Sequence, residues 1–144
     1  MIRLALGIAL LAAQAWAGLD TIQSEPNPEK RAQAALDKAG AALKSAKEAY
    51  LEKGDLQRTL ASLDELQRLV QLAYDSLLDT HKNPSRSPKH FKRAEITTRE
   101  LLRHLDDFRG QMSVEDRADL DKARAVIQKV HESLLEGIMG GKKK

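Results

Sequence analysis

The apolar residues of this chain recur at alternating steps of three and four positions in four separate stretches. This spacing keeps one stripe of an α-helix facing a partner helix, so each stretch predicts a helix with one buried side. We expect these helices over residues 29–53, 56–79, 88–110 and 114–139. The side chains expected in the core are, helix by helix, Ala32, Leu36, Ala39, Leu43, Ala46 and Tyr50; Leu56, Leu60, Leu63, Gln67, Val70, Tyr74 and Leu77; Phe91, Ala94, Thr98, Leu101, Leu105 and Phe108; and Leu120, Ala123, Ile127, Val130 and Leu134.

Turn and cap residues indicate how the helices are joined. Gly54 favours the left-handed conformation that ends a helix and Asp55 is a good N-cap, so together they predict a tight hairpin turn. Ser113 and Asp116 resemble a capping box at the start of the fourth helix. A longer loop with prolines, over residues 80–87, separates the two hairpins. The predicted fold is all-α, an antiparallel up-down-up-down four-helix bundle made of two helical hairpins; two extended coiled-coil hairpins are the alternative.

The N-terminal residues predict export. Arg3 precedes an apolar run of about ten residues, and Ala15-Trp16-Ala17 is the small-x-small pattern that a signal peptidase accepts. We therefore expect a cleavable signal peptide over residues 1–17, a flexible leader over 18–28, the bundle over 29–139 and a flexible basic tail over 140–144. The expected location is periplasmic or secreted, after cleavage between Ala17 and Gly18. The chain has no cysteine, so its stability must come from packing and not from disulfides.

Positive charge is concentrated around the loop between the hairpins. No acid occurs between Asp79 and Glu95, and in an up-down-up-down bundle this loop lies beside the start of the first helix and the C-terminal lysines. We call this end the basic pole, and the outer face of the third helix that continues from it the basic stripe. The residues expected to bind an anionic envelope component or an acidic protein are Lys82, Arg86, Lys89, Lys92, Arg93, Ile96, Arg99 and Arg103. An ordinary solvated face is the alternative.

The second helix carries more leucines than one stripe requires. Leu66, Leu69 and Leu72 project away from the expected core stripe, which predicts an apolar edge for self-association or partner docking. The alternative is a helix with a wide core-facing surface.

No residue pattern supports catalysis. A Gly-x-Ser-x-Gly turn and a cysteine nucleophile are both missing, and no histidine follows a glutamate by three positions, as di-iron bundles require. Glu100, His104 and Asp107 share a helix flank, and His131 is the nearest candidate for an axial haem ligand. The sequence therefore predicts a noncatalytic binding module with no cofactor, no metal site and no nucleic-acid partner; the alternatives are a metal- or haem-holding bundle and a periplasmic holding chaperone.

Overall fold

The chain is described over residues 19–140 in a computed structural model, and these residues form helices and no strand. The all-helical class is confirmed. The long helices are α1 (Pro28–Leu51), α2 (Leu56–Leu78), α3 (Lys89–Gly110) and α4 (Ala118–Ile138), with a short 3-10 helix at Val114–Asp116. Among the helices of this described part, none is long and apolar enough to cross a membrane.

The first hairpin is closed by the residues that the sequence indicated. Gly54 has a φ of 59°, a conformation that glycine adopts without the strain a Cβ would bring. The Asp55 side chain accepts a hydrogen bond from the Arg58 backbone N–H at 3.1 Å, so it caps α2 as predicted. At the other end of α1, the Asn27 side chain caps the helix by accepting from the backbone N–H groups of Glu29 and Lys30.

The predicted capping box at the start of α4 does not form. Ser113 makes no side-chain cap bond, and the backbone after it forms the 3-10 helix before α4 begins at Ala118. The Asp116 carboxylate instead accepts a hydrogen bond from the Tyr50 hydroxyl at 2.8 Å, and that hydroxyl accepts from the Ser113 N–H at 2.9 Å. Tyr50 of α1 therefore bonds to the Ser113 N–H and the Asp116 carboxylate, the two groups that a capping box would have joined to each other.

The two hairpins pack side by side around one core. The closest packing is within the hairpins, α1 with α2 and α3 with α4, and between α2 and α4; α1 packs more lightly on α3 and does not contact α4. Ion pairs place the end of α2 beside the start of α1, and Arg93 near the start of α3 donates to Gln33 near the start of α1. Helices α1 and α3 thus run in the same direction, and the loop between the hairpins crosses one end of the molecule.

The predicted core stripes of α3 and α4 are buried at every position. Helix α1 buries its predicted stripe up to Ala46, whereas Tyr50 is half-buried. It also buries Ala35, Ala42 and Ala49, so most of its buried side chains are alanines and α2 can approach closely. On α2 the predicted stripe is only partly right, because Leu60, Gln67 and Tyr74 are half-buried and Leu56 is 38% exposed. The residues buried on this helix are Thr59, Ser62, Leu63, Leu66, Leu69, Val70, Ala73, Ser76 and Leu77.

Part of the predicted leader is helical. Residues 19–23 are helical, and Leu19 and Ile22 pack against the core because they are apolar side chains next to a hydrophobic surface. The predicted signal peptide over residues 1–17, and Gly18 after it, lie outside the described residues, as does the tail beyond Gly140.

Candidate functional site

The basic pole carries acids as well as cations. Glu29, in the first turn of α1, accepts from the Lys82 ammonium at 3.1 Å and lies 2.7 Å from Nε2 of His90. Arg31 forms an ion pair with Asp79 at 2.8 Å. Glu29 and Asp79 therefore neutralise part of the positive charge of the basic pole. Because Lys82 is paired with Glu29, it is a weaker candidate for anion binding than the sequence suggested.

Three cations of the basic pole keep their charge uncompensated. Arg86, Lys89 and Lys92 are exposed, and none of them forms an ion pair with another residue of the described chain. Arg93 is also exposed and donates to the neutral Gln33 side chain at 2.9 Å, which leaves its charge unbalanced as well. These side chains are the part of the predicted site with the most available positive charge.

The loop that carries Arg86 is held in place by α4. Pro84 lies so close to Gly137 that a Cβ at this glycine would be 3.1 Å from the proline ring. The Asn83 carboxamide oxygen accepts from both the backbone N–H and the hydroxyl of Ser85. The loop therefore forms a hydrogen-bonded turn that packs against the end of α4 at the basic pole.

The basic stripe lies on the exposed face of α3. Ile96 is 38% exposed and has cationic residues on either side of it. Arg99 is 3.4 Å from the carboxylate of Glu95, whereas Arg103 forms no ion pair among the described residues. Beyond Arg103 the exposed residues of α3 include the acids Asp106 and Asp107, so the positive surface belongs to the N-terminal part of the helix.

The predicted apolar edge on α2 is wrong. Leu66 and Leu69 are both 0% exposed, and Leu72 is half-buried against the core. Helix α2 packs on α1 with one side and on α4 with another, so its buried side includes these leucines, whereas Leu56 of the predicted stripe is 38% exposed. The wide core-facing surface, the alternative expected from the sequence, is the arrangement found.

The histidines do not gather with other metal ligands. Within residues 19–140, no group of three or more histidine, cysteine, aspartate or glutamate side chains is close enough to hold a metal ion. Glu100, His104 and Asp107 lie exposed on α3. Nε2 of His131 lies 3.1 Å from the Glu95 carboxylate, and both side chains are 12% exposed, so this histidine serves as a partner for a buried acid.

Two further features were missed by sequence reasoning. Asp106 with Arg124 and Asp121 with Arg109 join α3 to α4, and hydrogen bonding to each arginine lowers the pKa of each carboxyl. A groove of about 400 Å³ lies between α1 and α3, away from the basic pole. It is lined by Gly40, Leu43, Lys44, Lys47, Glu48, Leu51, Glu52 and His104.

Comparison with protein-family models, with curated proteins and with solved structures gives no match.

Proposed function

We propose that this protein is an exported, noncatalytic four-helix bundle that binds an anionic partner of the cell envelope through its basic pole and the adjoining part of the basic stripe. The observation that carries the proposal is the set of uncompensated cations, Arg86, Lys89 and Lys92, on the start of α3 and the loop before it, which packs against α4. Cations held close together without a counter-ion raise the local concentration of anions at that surface.

The position of two of these cations supports a binding role. Lys89 and Lys92 lie in the first turn of α3, where the helix macrodipole favours anions, and no acid lies in that turn. Each cation there destabilises the helix by a few tenths of a kcal/mol, so the two lysines together lower the stability of α3 by about 0.5 kcal/mol. A bound anion would remove that repulsion.

The test is a charge-matched pair of triple variants. Arg86→Gln, Lys89→Gln and Lys92→Gln are combined in one protein, and Lys44→Gln, Lys47→Gln and Lys53→Gln, which lie away from the basic pole, are combined in the control. Both variants lose the same net charge, so elution from a polyglutamate matrix by salt separates local from overall charge. We expect the pole variant to elute at clearly lower salt than the control. Equal elution would rule out the basic pole as the binding surface.

Export is tested separately. If the predicted signal peptide is used, the protein recovered from the envelope or medium should begin at Gly18. A protein that retains Met1 would contradict the predicted cleavage and remove the reason for placing the partner in the envelope.

A further inference from the structure

The end face of the basic pole is amphipathic. Leu78 is 49% exposed at the end of α2, and Met139 is 53% exposed just after α4. Both helices end at this pole, beside the loop that carries Arg86. Large apolar side chains at the same end as cations are the combination that interfacial membrane-binding surfaces use.

The pole carries acids too, among them the exposed Glu136, but Asp79 and Glu29 are paired there with Arg31 and Lys82. The acids along α3 favour contact through this end over contact along the basic stripe. A partner that lay along α3 would also meet Glu100 and Asp107, which are exposed on the same helix. With a rise of 1.5 Å per residue, these acids lie about 16 Å and about 27 Å along the helix from Lys89. End-on contact keeps both away from an anionic surface, whereas side-on contact brings them onto it.

Gly140, the last described residue, lies beside Ser85 of the loop at this end. Lysine and arginine near an anionic bilayer each add favourable binding energy, so Arg86, Lys89 and Lys92 favour such a surface.

We infer that the basic pole docks end-on to a bilayer containing anionic phospholipid, with Leu78 and Met139 entering the interface and Arg86, Lys89 and Lys92 meeting the phosphates. This inference rests on the proposed function, because it names the anionic partner of the same surface. A bilayer fits better than an acidic protein because it accepts apolar side chains and cations together on one face.

The experiment places one tryptophan at a time on the mature protein that begins at Gly18, because the apolar run before it would itself enter a bilayer. Trp16, the single tryptophan of the sequence, is absent from that form, so each new one is the only reporter. Leu78→Trp and Met139→Trp report on the end face, Ile96→Trp reports on the basic stripe, and Val114→Trp reports on an exposed site beyond the other end of α3. Emission wavelength and quenching by brominated lipid are measured with phosphatidylcholine vesicles, alone or with about one third phosphatidylglycerol.

We expect blue shifts and quenching at residues 78 and 139 on the anionic vesicles alone, with residues 96 and 114 unchanged. Adding the Arg86, Lys89 and Lys92 substitutions to Leu78→Trp should weaken vesicle binding at least tenfold, and Glu136→Gln, which removes an exposed acid from the last turn of α4, should strengthen it.

The other outcomes separate the two proposals. A shift at residue 96 with none at 78 and 139 overturns end-on docking but keeps the basic surface as the binding site. A shift at residue 78 that survives on neutral vesicles, or without the three cations, overturns the inference because apolar contact alone then explains binding. If the protein binds polyglutamate but not anionic vesicles, the bilayer is rejected as the partner. If it binds neither, the proposed function is rejected as well.

Discussion

The ionised carboxylate of Glu65 on α2 destabilises the folded state. Burial raises the pKa of its carboxyl, and the nearby Lys38 offsets only part of that effect. The folded state therefore binds this proton more tightly than the unfolded state, so stability falls as pH rises from the ordinary value of 4.5 through the raised pKa.

Glu65→Gln should stabilise the protein at neutral pH because it removes this partly buried charge. The expected gain is about 0.5 kcal/mol, a small value because the side chain keeps some contact with solvent. Urea unfolding at about pH 7 and about pH 3.5 measures it, and the gain should vanish at the lower pH, where Glu65 is protonated. Glu100→Gln on the exposed face of α3 is the control; an equal gain there would show that overall charge is responsible.

For the pair of His131 on α4 and Glu95 on α3, replacing one residue should lower the free energy of unfolding more than replacing both. His131→Leu leaves the Glu95 carboxylate, 12% exposed, with only Arg99 at 3.4 Å, and we expect a loss of about 1–3 kcal/mol. Replacing both residues by leucine should recover most of that loss, because no buried acid is then left without its partner. A double-mutant cycle from urea unfolding measures the coupling; additive effects would mean that the contact contributes nothing.

At the scale of the element, α1 is defined by its small buried side chains. Ala39 is 0% exposed on the helix that packs most closely on α2, so Ala39→Leu has no room and should cost about 1–3 kcal/mol. Ala41 is exposed on the same helix, so Ala41→Leu should leave the melting temperature almost unchanged. Thermal melts of the two variants compare the same chemical change inside and outside the interface, and similar shifts would contradict close packing as the role of the alanines.

The helices show which parts of the fold a periodic pattern can predict. Helix α4 buries the five residues of its predicted stripe and no others, because it faces the core with one side. Helix α2 lies between α1 and α4, and a repeat within one helix does not tell how many neighbours it will have. Leu66 and Leu69 were therefore assigned to an outer edge although both are in the core.

The candidate site was also predictable only in part: the exposed cations were, and their ion-pair partners on other helices were not. The exposed cations on α3 follow from helical spacing alone. The ion pairs of Glu29 with Lys82 and of Asp79 with Arg31 join residues 53 and 48 positions apart, so only the packing of the helices reveals them. The pair of Arg99 with Glu95 did have a local signal, the i,i+4 spacing on one helix.

At the scale of the whole molecule, Tyr50 joins the two hairpins at the end opposite the basic pole. Its ring meets Phe108 edge-on at 5.9 Å, and its hydroxyl bonds to Asp116 and to the Ser113 N–H. Tyr50→Phe keeps the ring contact and removes both hydrogen bonds, so we expect a loss of about 1 kcal/mol. Hydrogen exchange should quicken most at the amides of residues 113–116; a uniform change along α3 and α4 would contradict a local role for the hydroxyl.

The inter-hairpin loop crosses the basic pole. The hairpins are therefore joined covalently at this end and only by noncovalent contacts at the other. The backbone joins the hairpins beside Pro84 and Gly137, whereas at the far end side-chain contacts such as those of Tyr50 hold them together. Separation of the hairpins should therefore begin at the far end and leave the loop, with its cations, as the pivot. In such a separation the residues nearest the pivot move least.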